Sequence, residues 1–138
     1  MTNITDWQRA TAPEIPEFED LAEAAWARLP EAFRARAGDL LIRIEEYPTD
    51  EVLDTLGIED PLDLLGLYHG VSLDKKSFSD LPQQPDMVFL YRRPLLDEWA
   101  ESGETLGDLI THVLVHEVGH HFGFSDDDME RIEAAAGS

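Results

Sequence analysis

The stretch from Thr105 to Asp128, TLGDLITHVLVHEVGHHFGFSDDD, constrains the fold more than any other part of the chain. Leu106, Leu109, Ile110, Val113, Leu114, Val115, Val118 and Phe122 cover most of the circumference of a helix. A helix apolar on nearly every side is a buried one. Thr105 with Asp108 three residues on has the pattern of a capping box at its start. Gly123 arrives where a left-handed residue would end it. Polar groups buried in such a helix have to be paired or ligated, and this one carries His116, Glu117 and His120.

Those three residues form an HExxH pattern, His116-Glu117-Val118-Gly119-His120. Residues four apart project from one helix face, so two imidazoles at this spacing can hold one zinc ion. Glu117, displaced toward the adjoining flank, can hydrogen-bond a water there. A catalytic zinc site adds a third protein ligand and keeps one position open. Gly123 can turn the chain so that Asp126 returns a carboxylate, which extends the pattern to HExxHxxGxxD. Asp127 or Asp128 takes that place if the turn differs. The expected metal set is therefore His116, His120 and Asp126 around one zinc per chain, with Glu117 as general base. Glu117 accepts the proton of the attacking water and passes it to the leaving amine. Tyr68, Tyr91 and His112 are the candidates for a second oxyanion donor. His121 lies about 100° round the helix from His120, turned away from His116, where it orients a ligand or pairs locally, and His112, one turn before His116, either supports a ligand or is a core histidine. A bare HExxH is weak evidence, and the same residues fit a core helix whose histidines hydrogen-bond to neighbours.

The rest of the composition narrows the alternatives. At 138 residues the chain has the size of one domain with a real core. It has no cysteine, which excludes disulfides, thiolate metal sites and a cysteine nucleophile. A net charge of −20 repels nucleic acid and anionic membranes. The N-terminal MTNITDWQRATAPEIPEFED lacks a basic start followed by an apolar run, and no segment approaches the ~20 apolar residues of a membrane span. The expectation is a cytoplasmic protein without signal peptide, acting on a peptide or protein, with no nucleic acid or membrane partner; its oligomeric state is not legible.

Residues 1–16, with Pro13 and Pro16, read as a flexible tail, and residues 17–138 as one domain. From Glu17 a helical stripe of Phe18, Leu21, Ala25 and Leu29 appears. Pro30 opens a second short helix that Gly38 closes. Leu40 to Tyr47 alternates as a half-buried strand. Thr49 or Asp50 caps a short helix closed by Gly57. Residues 63–73 suggest two short strands about a His69-Gly70 turn, and residues 74–86 a polar loop. Met87–Tyr91 is a strand, followed by Arg92 and Arg93 as a solvated strand end. Short helices follow at Leu95 to Glu101 and Asp126 to Ala136. Several helices with few strands imply an α+β fold.

Over roughly residues 17 to 130 the chain resembles the small bacterial zincin-like metallopeptidases, the minimal metalloproteases. The resemblance rests on LPEAFRARAGDLLIRIEEYP, LLGLYHGVSL, MVFLYRRPLL and, most specifically, VLVHEVGHHFGFSDDDM. It implies a pared-down zincin fold in which a small mixed sheet packs against the zinc helix. It also implies zinc ligation by His116, His120 and Asp126 with Glu117 as base, and an edge strand that pairs with extended substrate, for which Met87–Tyr91 is the candidate. Many relatives of extended-motif zincins have histidine where Asp126 stands, and an aspartate would lower the charge at the metal. No Met-turn pattern follows. The competing readings are a zinc-binding or interaction module with weak or no turnover, a zinc-assisted nuclease, and a structural domain in which HEVGH is coincidence.

Overall fold

In the computed structural model the described residues are 6–70 and 85–137. Three strands form one mixed sheet: β1 (Leu41–Glu45), β2 (Gly66–His69) and β3 (Met87–Tyr91), in the order β1-β3-β2. β3 runs parallel to β1, with Ile42 opposite Val88 and Ile44 opposite Leu90. It runs antiparallel to β2, with Tyr68 opposite Val88 and Gly66 opposite Leu90. The alternation expected for β1 holds: Ile44 is buried while Leu41, Arg43 and Glu45 are exposed.

The central place of β3 overturns one expectation. Met87–Tyr91 is paired on both sides, so it is not an edge strand open to a substrate backbone; among the described residues β1 and β2 are the edges. Its near-continuous apolar sequence, with Val88, Leu90 and Tyr91 buried, is the pattern of a strand covered on both faces. The described partner of β2 is β3 rather than a strand following His69-Gly70. The second arm of the expected hairpin and most of the loop after it lie outside the described residues.

Six helices surround the sheet among the described residues: α1 (Ile15–Ala27), α2 (Glu31–Ala37), α3 (Asp50–Leu56), α4 (Arg92–Ser102), α5 (Leu106–His121) and α6 (Asp126–Gly137). The fold is a small α+β domain. α5 runs through its middle between two apolar clusters. On one side Leu106, Leu109, Ile110, Val113 and Leu114 pack with Phe18, Ala22 and Ala25 of α1 and with Ile44, Val88 and Leu90 of the sheet. On the other, Val115 and Val118 pack with Leu29, Phe33, Ala37, Met129 and Ala136. Burial on both sides is why nearly every face of α5 is apolar.

The ends of α5 are set as its sequence implies. The Asp108 amide donates to Thr105 Oγ1 at 3.1 Å. At the other end Gly123 adopts φ 77°, and the Phe124 amide donates to the Gly119 carbonyl at 2.9 Å. The chain then turns into α6, whose Met129 lies over Gly119; a Cβ added at Gly119 would stand 2.5 Å from Met129 Sδ. The missing side chain lets the two helices approach closely here.

Arg92 corrects a second expectation. It is buried, 8% exposed, and begins α4 instead of trailing into solvent. Its Nε donates to the Pro13 carbonyl at 2.7 Å and its guanidinium to Glu46 Oε1 at 3.0 Å, tying the segment before α1 to the end of β1. Arg93 alone is exposed. A planar fork that satisfies two acceptors is how an arginine tolerates such a position. Among the described residues, no helix is long and apolar enough to cross a membrane.

Candidate metal and catalytic centre

One stripe of α5 escapes the two cores, and it carries His112, His116 and His120 at successive turns. His116 and His120 present rings 5.6 Å apart and nearly perpendicular, and His112 and His116 rings 4.0 Å apart. His112 and His120 are exposed and His116 is half-buried. The spacing expected from the sequence thus brings His116 and His120 to one accessible face of an otherwise buried helix.

Glu117 sits on the flank of that stripe and points toward the sheet. Its Oε1 accepts the backbone N–H of Tyr68 at 3.2 Å. That amide is directed from β2 toward α5, so the outer edge of β2 runs beside the Glu117 carboxylate. Burial pushes the Glu117 carboxyl above the ordinary glutamate range, opposed by the Tyr68 amide and by His120. His116 is moved the other way: burial, then the neighbouring His112, hold its imidazole below the usual histidine value, with Glu133 opposing. A depressed histidine keeps a lone pair free at neutral pH, the form that binds a metal. A carboxylate whose pKa is raised is the stronger base, better suited to accepting a proton and returning it.

The carboxylates of α6 are placed two turns apart. Asp126 is the first residue of the helix and exposed. Glu133, by contrast, reaches the histidines: its Oε1 lies 2.6 Å from His112 Nδ1 and its Oε2 3.6 Å from His116 Nε2. Among the described residues, His112, His116 and Glu133 form a group whose potential ligand atoms all lie within 4.8 Å of one another; His120 and Asp126 stand outside it. Glu133 is not part of the HExxHxxGxxD pattern, but a signal for it exists. Seven residues advance a helix by about 700°, so Glu133 shares a face with Asp126 to within about 20°.

The three candidate oxyanion donors are differently disposed. The Tyr68 hydroxyl donates to Asp86 Oδ2 at 2.7 Å, and burial together with that bond and the Asp86 charge raises its pKa. Tyr91 is buried in the sheet, 3% exposed, and burial, with Glu45 and Glu117 nearby, raises it as well. His112 is engaged with Glu133. His121, turned away from His116 as expected, stacks on the Tyr68 ring at 3.9 Å and 18°. This stack joins the C-terminal end of α5 to β2, beside the Tyr68–Glu117 hydrogen bond. His69, at the end of β2, is exposed and meets Phe89 edge-on at 6.5 Å.

A family model for zincin-like metallopeptidases matches residues 37–136, from just before β1 to the end of α6. The chain belongs to the zincin-like metallopeptidase family. No individual curated relative matches it. The matched segment contains the whole sheet, α5 and nearly all of α6, while α1, which completes the zincin-like core by packing on α5, precedes it. The chemistry of the motif histidines suits the zinc that the family implies: His116 and His120 bring two imidazoles to one face of α5, and burial holds His116 below the usual histidine value, in the form that offers a lone pair.

Proposed function

We propose that this chain is a zinc-dependent peptidase that hydrolyses peptide bonds, with His116, His120 and Asp126 holding one zinc ion and Glu117 serving as general base. The observation that carries the reading is the position of Glu117. Its carboxylate lies between the histidine stripe and the edge strand β2, on the amide of Tyr68. Zinc, when bound, supplies Lewis acidity and lowers the pKa of water toward ~7.

The protein's own groups supply the rest. An extended peptide running along the outer edge of β2 presents its carbonyl to the space between Glu117 and the histidines, which makes β2, not β3, the strand assigned to substrate. Glu117, with its carboxyl raised by burial, takes a proton from the attacking water at one carboxylate oxygen and returns it to the leaving nitrogen. The Tyr68 amide and the stack of Tyr68 on His121 hold that carboxylate against the strand. Asp126 opens α6, with one turn separating it from the end of α5, and it supplies the negative charge expected of the third ligand.

The test is a peptide-library digest with zinc-loaded wild type and Glu117→Gln. Turnover by the wild type and its loss in a variant that retains zinc is the expected result. Wild-type zinc content with no cleavage of any peptide would favour a zinc-binding module without turnover.

A further inference from the structure

Three histidines at successive turns of α5 offer two overlapping i, i+4 pairs, His116 with His120 and His112 with His116. The motif uses only the first. The second pair has its own carboxylate, because Met129 packing on Gly119 brings α6 against α5 and sets Glu133, four residues on, beside His112 and His116, the lower pair, nearer the start of α5. One Glu133 oxygen is 2.6 Å from His112 Nδ1 and the other 3.6 Å from His116 Nε2. Zinc–ligand bonds of about 2.0–2.2 Å place tetrahedral donors roughly 3.3–3.6 Å apart, so donors within 4.8 Å need only side-chain adjustment to close on an ion.

The surroundings suit a cation. His112 and Glu133 form part of the wall of a cavity of about 460 Å³, which Glu104, Asp108 and Thr111 also line, with Arg28 as its one cationic side chain among the described residues. The cavity gives an ion a route in and room for water to complete its coordination. It lies against the N-terminal half of α5 and the C-terminal half of α6, away from β2.

We propose that His112, His116 and Glu133 form a second site for a divalent transition-metal cation, which competes with the motif site for His116. The sites share one imidazole nitrogen, so the chain holds a cation in one position or the other. Their centres are one histidine step apart along the helix, about 6 Å. An ion in the lower site is drawn toward Glu133 and away from Glu117, so it occupies a position without the general base. The competition, though not the lower site itself, rests on the proposed use of His116 and His120 for zinc.

The experiment is metal binding to the purified chain by competition with a chromophoric chelator, using Zn²⁺ and Co²⁺ separately. Wild type, His112→Ala, His120→Ala, His112→Ala/His120→Ala and His116→Ala are compared, each with its fold checked by far-ultraviolet circular dichroism. The wild type is expected to bind one ion. His120→Ala is expected to keep one ion at reduced affinity, with a Co²⁺ spectrum different from that of wild type, and removing His112 as well should weaken binding by at least about tenfold. If His120→Ala binds no more tightly than the double variant, the second site is overturned while the motif site stands. Should His120→Ala bind like wild type and His112→Ala lose the ion, the lower site stands and the proposed zinc ligands fail.

Discussion

The backbone N–H of Tyr68 donates to Glu117 Oε1 across 3.2 Å, joining β2 to the C-terminal half of the buried helix α5. This bond fixes the direction of the one carboxylate within the HEVGH segment. It depends on β2 lying close to α5, and the close approach is set two residues earlier. A Cβ at Gly66 would stand 2.7 Å from Val113 Cγ1 on α5 and 3.0 Å from the Phe89 carbonyl oxygen on β3.

Gly66→Ala is therefore expected to push β2 away from α5. Neither contact is to the end of a flexible side chain, and overpacking of this kind costs about 1–3 kcal/mol. Urea unfolding would measure that loss, and peptide turnover should fall with it because Glu117 loses its anchor. An unfolding midpoint equal to that of wild type would show that the approach is looser than the geometry indicates.

Arg92 makes a second prediction. Replacing it by Ala leaves the Pro13 carbonyl without its donor and Glu46 without its partner. Glu46 is half exposed, so the ion pair itself contributes little. The hydrogen bonds of the buried guanidinium set the cost, about 1.5–3 kcal/mol for charged hydrogen bonds. The loss should persist at high salt, and a loss that vanished in 1 M salt would assign it to surface electrostatics instead.

The pH dependence of the metal-free protein follows from Glu117. Its carboxyl titrates higher in the folded chain than in the unfolded one, so the folded state binds the proton more tightly. The stabilisation from this group is complete below the ordinary glutamate range and is lost as pH rises through the raised folded value. Glu117→Gln should flatten that part of the stability–pH curve without metal. His116 acts oppositely, its depressed value giving stability above the ordinary histidine range that is lost as pH falls through the lowered one. A Glu117→Gln curve parallel to wild type across the glutamate range would contradict the burial of that carboxylate.

Much of this organisation was legible in the residues. The α5 helix, its Thr105 cap and its Gly123 stop follow from local chemistry, because caps and left-handed residues act within a few positions. The facing of His116 and His120 follows from helical period alone. What could not be read was everything set by packing between distant segments. The central position of β3 depends on which strands flank it. The burial of Arg92 depends on acceptors at Pro13 and Glu46, far from it in sequence. Glu133 sits by His116 because Gly119 admits Met129, a relation between two helices that no single-helix pattern encodes.

The third metal ligand is the point at which α6 decides the chemistry. Asp126→Ala is expected to weaken zinc binding well beyond the 10–100-fold typical of a supporting residue, whereas Glu133→Ala should leave tight binding in place. Chelator competition measures both. The reverse order would transfer the ligand role to Glu133, whose carboxylate already lies 3.6 Å from His116 Nε2.

The most direct test of the central claim, that α5 holds a catalytic zinc, is the metal content of the native purified chain beside that of His116→Ala. About one zinc per chain in the wild type, absent from a variant that remains folded, is the predicted result. No bound metal in the wild type, and none taken up when zinc is added, would contradict it and leave HEVGH as a polar stripe on a core helix.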